Sequence, residues 1–353
     1  MTSSLTHYRL LGRSGLRVSP LALGTMTFGT DWGWGSDEAD ARRIFDAYVD
    51  RGGNFVDTAS NYTNGTSEKL VGAFAEGKRD RLVLATKYSL ASASGDPNSG
   101  GNHRKNMVRT VEQSLQRLRT DHLDLLYLHT WDATTPGDEI MRAFDDLVRA
   151  GKVLYAGISD TPAWQVARMQ TMAELRGWSP FVALQIEYSL VQRTVERDLV
   201  PMAKELGLGV VPWSPLGMGV LTGKYSRADL TPTPRSEGGR RDMVVGMGAV
   251  TERTLAIADA VTAVAKKLER TPAQVAVAWT LCSDAVAAPI VGARTLAQLE
   301  DNLGALDVVI PAELRVELEA ASAVELGFPH DFLASPGVRQ IMTGGAHIEA
   351  RRT

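Results

Sequence analysis

The sequence predicts a single (β/α)8 barrel, the TIM fold, entered through a short β-hairpin. Eight short apolar runs recur along the 353 residues, and amphipathic segments separate them. The runs are residues 21–24, 54–57, 82–87, 123–129, 153–159, 182–187, 209–214 and 286–292. Their apolar residues are continuous rather than alternating, which is typical of parallel strands covered on both faces. Eight such strands with helices between them favour a closed barrel.

The segments between the runs have helical spacing. In residues 104–119, Met107, Val111, Leu115 and Leu118 recur every three or four positions, with arginine and glutamine between them. Similar helices are predicted at residues 37–50, 66–75, 136–150, 162–175, 195–206, 272–281 and 295–303. Ahead of the first strand, residues 8–11 and 16–18 flank a Gly-Arg-Ser-Gly turn, which predicts the hairpin.

A doubly wound sheet is the main alternative fold. It would be expected to carry the G-x-G-x-x-G fingerprint between a strand and a helix. The nearest approach is Gly217 and Gly219, and the next glycine, Gly223, comes one residue too late. We therefore predict one barrel domain over residues 1–353, with the barrel at about 20–305 and a C-terminal helix and tail at 306–353 that lies over the barrel mouth. Residues 215–248 are predicted to form a long loop after the seventh strand.

Composition limits the classes of function. A net charge of −3 gives no reason to expect a nucleic-acid or membrane partner, and the N-terminal residues lack the apolar core of a secretory signal, so a cytoplasmic location is the default expectation. Cys282 is the one cysteine, which excludes an intrachain disulfide and a multi-cysteine metal site, and it is predicted to be buried. No metal site is predicted. The oligomeric state stays open.

Polar residues follow the predicted strands, and in a barrel these strand ends meet around one mouth. Four of them can move or steer a proton: Asp57, Tyr62, Lys87 and His129. Each alone has an ordinary structural explanation, as a turn cap, a solvated strand end or a core histidine. Their convergence on one mouth favours a functional site.

These four residues suit general acid catalysis. A free tyrosine, with a pKa of about 10, is a weak acid at neutral pH, and a neighbouring Lys87 ammonium is expected to lower that pKa. Asp57 would keep the lysine charged, and His129 would orient a carbonyl oxygen. No nucleophile motif accompanies the group, so a hydride from a bound cofactor would complete the reaction.

The later strand ends indicate a cofactor site. Residues 213–224 combine Trp213, small residues that permit close backbone approach, and Lys224. Arg294 lies at the predicted start of the last barrel helix, where a phosphate is favoured by the helix dipole and by guanidinium bonding. A flexible loop and an ordinary exposed helix start remain the alternatives at this stage.

The chain resembles the aldo-keto reductases from residue 21 to residue 302. The matching segments are LALGTM at 21–26, FVDTA at 55–59 with Tyr62, ATK at 85–87, LDLLYLH at 123–129, GIS at 157–159, LQIEY at 184–188, PWSPL at 212–216 and GAR at 292–294 with Gln298 and Asn302. The resemblance is strongest to the branch that includes aryl-alcohol dehydrogenase-like and potassium-channel β-subunit-like members. It implies a (β/α)8 barrel that reversibly reduces aldehydes or ketones with NADPH, NADH being possible but less favoured.

The resemblance also implies residue roles. Tyr62 would donate the proton, Lys87 and Asp57 would tune it, and His129 would orient the carbonyl. The residues implied to bind cofactor are Thr25, Met26, Asp57, Ser159, Asp160, Gln185, Trp213, Ser214, Pro215, Leu216, Gly219, Leu221, Lys224, Gly292, Arg294, Gln298 and Asn302. The substrate, a small carbonyl compound or alcohol, is expected to meet aromatic side chains at Trp32, Trp34, Tyr88 and Trp131.

One departure from the family pattern concerns the nicotinamide end of the cofactor. The family commonly has asparagine after the serine of the fifth strand, where this chain has Asp160. An ionised carboxylate only accepts hydrogen bonds, so contacts to the carboxamide are expected to differ. Two other functions stay open from sequence: an NADPH-binding regulatory protein with little turnover, and an aldolase with Lys87 as a Schiff-base lysine.

Overall fold

The computed structural model describes residues 4–230 and 240–349. Its strands are β1 (Arg9–Leu10), β2 (Arg17–Val18), β3 (Ala22–Gly24), β4 (Phe55–Asp57), β5 (Val83–Tyr88), β6 (Leu123–Leu128), β7 (Val153–Ser159), β8 (Phe181–Glu187), β9 (Gly209–Trp213) and β10 (Ile290–Gly292). β1 and β2 form the antiparallel hairpin. The other eight strands form one parallel sheet in the order β10-β3-β4-β5-β6-β7-β8-β9.

The sheet closes into a barrel between β9 and the segment before β10. The Val210 amide donates to the Ala285 carbonyl at 2.9 Å, and the Ala287 amide donates to the Val210 carbonyl at 2.8 Å. The predicted (β/α)8 barrel and the hairpin are therefore confirmed, and the doubly wound alternative is excluded. The eighth strand is shorter than predicted, because only its last three residues pair with β3.

The helices are α1 (Glu38–Asp50), α2 (Thr66–Phe74), α3 (Arg104–Leu118), α4 (Gly137–Arg149), α5 (Ala163–Arg176), α6 (Leu199–Leu206), α7 (Arg240–Gly246), α8 (Glu252–Lys267), α9 (Pro272–Leu281), α10 (Leu296–Leu303), α11 (Ala312–Ala321), α12 (His330–Ala334) and α13 (Pro336–Thr343). Within this part of the chain, no helix is long and apolar enough to cross a bilayer.

Two helices after the seventh barrel strand were not predicted: α7 lies within the predicted loop at 215–248, and α8 follows that loop. α7 and α8 follow two short helical turns, and α8 is capped by Thr251, whose side chain accepts from the Thr254 amide. Such threonine caps satisfy amides that the first turn leaves unpaired. Residues 231–239 of the predicted loop lie outside the described residues.

Apolar packing lies on both sides of the sheet. The larger core fills the space between strands and helices, and a smaller one fills the barrel interior with Phe55, Leu125, Tyr127 and Val211. The hairpin contributes Leu11 to the interior, so it closes the end of the barrel opposite the strand carboxyl ends. Gly12 permits this contact, since its φ is +57° and a Cβ would lie 2.3 Å from the Val182 carbonyl oxygen.

Two expectations outside the barrel have different outcomes. The prediction that Cys282 is buried is wrong, because the residue follows the last turn of α9 and is exposed. The tail contacts the loop after β8, where His330 Nε2 lies 3.3 Å from Asp198 Oδ1. Its apolar side chains Phe328 and Ile341 are both exposed. A tail over the barrel mouth stays a prediction.

Candidate active site

Strand register brings the predicted polar residues to one end of the barrel. Asp57 ends β4, Lys87 lies next to last in β5, and His129 follows β6. Ser159 pairs with Gln185 between β7 and β8. These side chains lie at one level along the barrel axis because the carboxyl ends of all the parallel strands lie at the same end of the barrel.

Lys87 is the centre of the site. Its Nζ donates to Asp57 Oδ1 at 2.5 Å, to the Thr58 carbonyl oxygen at 2.7 Å and to the Tyr62 hydroxyl at 3.2 Å. Both charged side chains are buried, with Lys87 fully inaccessible and Asp57 2% exposed. An ammonium has three hydrogens and accepts nothing. These three acceptors therefore use the whole donor capacity of a charged lysine.

This arrangement fixes where the tyrosine proton can go. The Tyr62 oxygen accepts from Lys87, so its own hydrogen must point elsewhere. Among the described residues no hydrogen bond from the Tyr62 hydroxyl to another acceptor is formed. The hydroxyl is thus held as a donor toward the barrel mouth.

The pKa of Tyr62 differs from expectation. Burial raises the pKa above its usual value, Lys87 lowers it, and Asp57 raises it. The expected net lowering of the Tyr62 pKa is wrong, because burial opposes the phenolate and Asp57 offsets part of the lysine charge. The tyrosine is consequently protonated at neutral pH, the form required of an acid.

The ion pair keeps its charges despite burial. Burial disfavours the lysine ammonium, but Asp57 and Tyr62 together raise the pKa of Lys87 above its usual value. Burial raises the pKa of Asp57, which Lys87 and Gln185 oppose. Gln185 Nε2 donates to Asp57 Oδ2 at 2.9 Å, a contact that sequence reasoning missed because it predicted only a cofactor role for Gln185.

His129 lies beside the tyrosine. The two ring centroids are 6.0 Å apart at 78°, an edge-to-face contact. Burial, with a smaller contribution from Lys87, lowers the pKa of His129 to about 3. The imidazole is therefore neutral at pH 7, and a neutral imidazole carries one N–H that can donate to a carbonyl oxygen.

Polar atoms on the other side of the mouth fit a nicotinamide. Ser159 is buried, and its Oγ has no hydrogen-bond partner among the described residues. A buried hydroxyl without a partner is costly, and a carboxamide bound there would satisfy it. Thr25 is also buried, but its hydroxyl donates to the Asp57 carbonyl oxygen, which argues against a side-chain role in binding.

Asp160 makes an interaction that sequence did not predict. Its backbone has φ of +38°, and its Oδ1 accepts from Trp213 Nε1 at 3.0 Å. The half-buried indole, predicted to stack on a nicotinamide ring, is thereby anchored to the residue after Ser159. Sequence separation hid this pair, since the two residues are 53 positions apart.

The loop after β9 forms a cradle. Gly219 has φ of +93°, and a Cβ there would lie 2.6 Å from Lys224 Nζ. The absence of a side chain leaves room for the ammonium beside the backbone, as a phosphate site requires. Ser214 Oγ accepts from the Met218 amide at 2.7 Å and so shapes the same turn.

The start of α10 is preorganised. Thr295 caps the helix, and the Gln298 side-chain oxygen accepts from the Arg294 amide at 2.9 Å. Asn302, largely buried, donates to the Gly292 carbonyl oxygen at 3.2 Å. The first turn of α10 and residue Arg294 lie at this terminus, which fits an anionic group.

The remaining predicted cofactor residues lie in the same loops. Met26 follows β3, and Pro215 and Leu216 follow β9. Leu221 lies in the helical turn Gly217–Thr222, where its side chain is fully buried, so only its backbone can face a ligand.

The predicted substrate residues separate into two groups. Trp32 lies 6.5 Å from Tyr62 and 5.6 Å from Trp34, ring centroid to ring centroid, and Trp131 is half-buried after β6. Tyr88 does not belong with them: its side chain is fully buried and its hydroxyl donates to the Asn102 carbonyl oxygen. Alternation along β5 explains the error, because Lys87 points into the barrel and its neighbour must point out.

The sequence is similar to those of known oxidoreductases. A model of the aldo/keto reductase family matches residues 20–322. The chain is 37% identical to norsolorinic acid reductase of Aspergillus flavus over 93% of this chain and 84% of the relative. It is 40% identical to an uncharacterized oxidoreductase of Bacillus subtilis over 87% and 93% respectively. It is 35% identical to an aryl-alcohol dehydrogenase of Pestalotiopsis microspora over 95% and 87%.

The family match covers all eight barrel strands and every residue of the Lys87 network. The chain belongs to the aldo/keto reductase family, and it is an oxidoreductase.

Proposed function

We propose that the protein reversibly reduces an aldehyde or ketone to the alcohol with NADPH, and that Tyr62 supplies the proton. The observation that carries the proposal is the hydrogen-bond count at Lys87, which leaves the Tyr62 hydroxyl as a donor aimed at the mouth. When bound, the nicotinamide supplies a hydride to the carbonyl carbon.

Side chains of the protein stabilise the carbonyl oxygen of the substrate. As negative charge develops there, Tyr62 donates its proton and neutral His129 donates a second hydrogen bond. Lys87 stabilises the phenolate that the transfer leaves behind, because its ammonium lies 3.2 Å from that oxygen. Asp57 holds the lysine in place, and Gln185 holds Asp57 by donating to its other oxygen.

Residues at the ends of three strands, or in the loops that follow them, would hold the cofactor. Ser159 has the unsatisfied hydroxyl for a carboxamide, and Lys224 with Gly219 would meet the pyrophosphate. Arg294 at the start of α10 would bind the 2′-phosphate, which favours NADPH over NADH.

The aromatic side chains support an apolar, ring-containing substrate. Trp32 presents its ring edge-to-face with Tyr62, so an aromatic carbonyl compound could pack on it while its oxygen reaches the hydroxyl. The name of the aryl-alcohol dehydrogenase relative is consistent with such substrates.

Tyr62→Phe tests the proposal. General acid catalysis contributes about 10²–10⁴-fold, so turnover of NADPH with aromatic aldehydes should fall by that factor while the Kd for NADPH changes little. Tyr8→Phe is the matched control, because Tyr8 donates to the Gly52 carbonyl oxygen at the opposite end of the barrel. Wild-type turnover in Tyr62→Phe would refute the assignment. Tight NADPH binding by the wild type without turnover of any carbonyl compound would favour a regulatory role.

A further inference from the structure

The Asp160 carboxylate occupies a defined place at the proposed nicotinamide site. It follows Ser159 directly, and it accepts from Trp213 Nε1 at 3.0 Å. The two residues that would contact the nicotinamide amide and ring are therefore its chain neighbour and its hydrogen-bond partner. A carboxyl group is thus fixed beside that end of the site.

Backbone contacts keep the carboxylate there. The Asp160 amide donates to the Gln185 carbonyl oxygen at 3.3 Å, and its carbonyl accepts from the Trp131 amide at 3.4 Å. The left-handed backbone, with φ of +38°, turns the side chain toward β9. Aspartate and asparagine adopt this conformation more readily than most residues, so both would preserve the turn.

Nearby charged groups do not neutralise the Asp160 carboxylate. Burial raises the pKa of Asp160, while the hydrogen bond from Trp213 and the Lys87 ammonium lower it, and that ammonium already contacts Asp57 at 2.5 Å. Glu187, at the end of β8, adds a second carboxyl group whose pKa is raised by burial and by Asp160. The carboxyl groups of Asp160 and Glu187 therefore lie on either side of Trp213, where the nicotinamide ring would bind.

We propose that Asp160 is a positioning residue that selects the oxidised cofactor over the reduced one by its negative charge while it anchors Trp213. The inference rests on the proposed function. The nicotinamide ring is positively charged when oxidised and neutral when reduced, and the rest of the cofactor is the same in both. Asp160 therefore attracts the oxidised form selectively, and Trp213 fixes the distance between charge and ring.

The size of the effect follows from electrostatics near a surface. One unit of charge acting on another across several ångströms, with partial exposure to water, changes affinity roughly three- to thirtyfold. The pyrophosphate and the 2′-phosphate contribute to both affinities alike. The ratio of the dissociation constants for NADP⁺ and NADPH therefore reports the effect of the charge on the nicotinamide ring alone.

Asp160→Asn separates charge from anchoring. Asparagine keeps an oxygen that can accept from Trp213 Nε1 but carries no charge. We expect the Kd for NADP⁺ to rise roughly three- to thirtyfold and the Kd for NADPH to change less than about twofold. Both constants are measured by isothermal titration calorimetry, without turnover. Glu317→Gln on α11 is the control for net charge, and it should leave the ratio unchanged.

A second measurement tests the anchor. Asp160→Ala removes both charge and acceptor, so it should shift the ratio as Asp160→Asn does and also weaken both cofactors. Equal changes of both affinities in Asp160→Asn, or no change, would overturn the inference while the proposed function stands. If the wild type binds neither NADP⁺ nor NADPH, the proposed function fails, and the inference with it.

Discussion

The buried pair of Lys87 and Asp57 should dominate the local energetics of the mouth. Lys87→Met removes three hydrogen bonds and leaves the Asp57 carboxylate, 2% exposed, with only the Gln185 amide as a side-chain donor. Removing one partner of a buried ion pair typically costs about 3–5 kcal/mol, because the other charge stays desolvated. We expect the free energy of unfolding to fall by that amount at pH 7.

The loss of stability in Lys87→Met should depend on pH. Without the ammonium, burial should raise the pKa of Asp57 further. A carboxyl group whose folded pKa lies above its unfolded value, about 3.9, destabilises the fold when ionised. The deficit of Lys87→Met should therefore be largest at neutral pH and should shrink as the pH falls toward 4.

Urea unfolding followed by tryptophan fluorescence measures both effects. The double variant Lys87→Met with Asp57→Asn removes both charges, so it should be less destabilised than the sum of the single variants by about 2–3 kcal/mol. Lys267→Met is the matched control, since Lys267 binds Glu317 at the surface, where such pairs contribute about 0–1 kcal/mol. A pH-independent loss below about 1 kcal/mol in Lys87→Met would refute the reasoning.

Two further outcomes are expected. Arg294→Glu should weaken NADPH at least about tenfold more than NADH in calorimetric titrations, because it places a negative charge where the 2′-phosphate is proposed to bind, and equal weakening would exclude that contact. Because the pKa of His129 is about 3 in the fold and about 6.5 unfolded, the wild type should lose up to about 5 kcal/mol of stability as the pH falls from 6.5 to 3. In urea unfolding at both pH values His129→Gln should lose less, and an identical loss would mean that His129 does not carry this dependence.

Most of the polar residues that the sequence predicted at the barrel mouth do lie together there in the fold. Continuous apolar runs predicted the strands, and the strand ends predicted the positions of Asp57, Lys87 and His129. Tyr88 was an error that the sequence could have prevented, because side chains alternate along a strand and Lys87 already points inward. α8 could also have been found from its threonine cap and apolar spacing.

By itself, the sequence determined the barrel and the chemical types at its mouth, because apolar periodicity and strand ends are local features. Tertiary structure decided how those residues act. The Lys87 hydrogen bonds join two strands and a loop, and the contact of Gln185 with Asp57 spans 128 positions. Burial, which no single segment reveals, reversed the expected pKa shift of Tyr62. Only the closed barrel places Asp160 against Trp213, where one carboxylate can both hold an indole and charge the site.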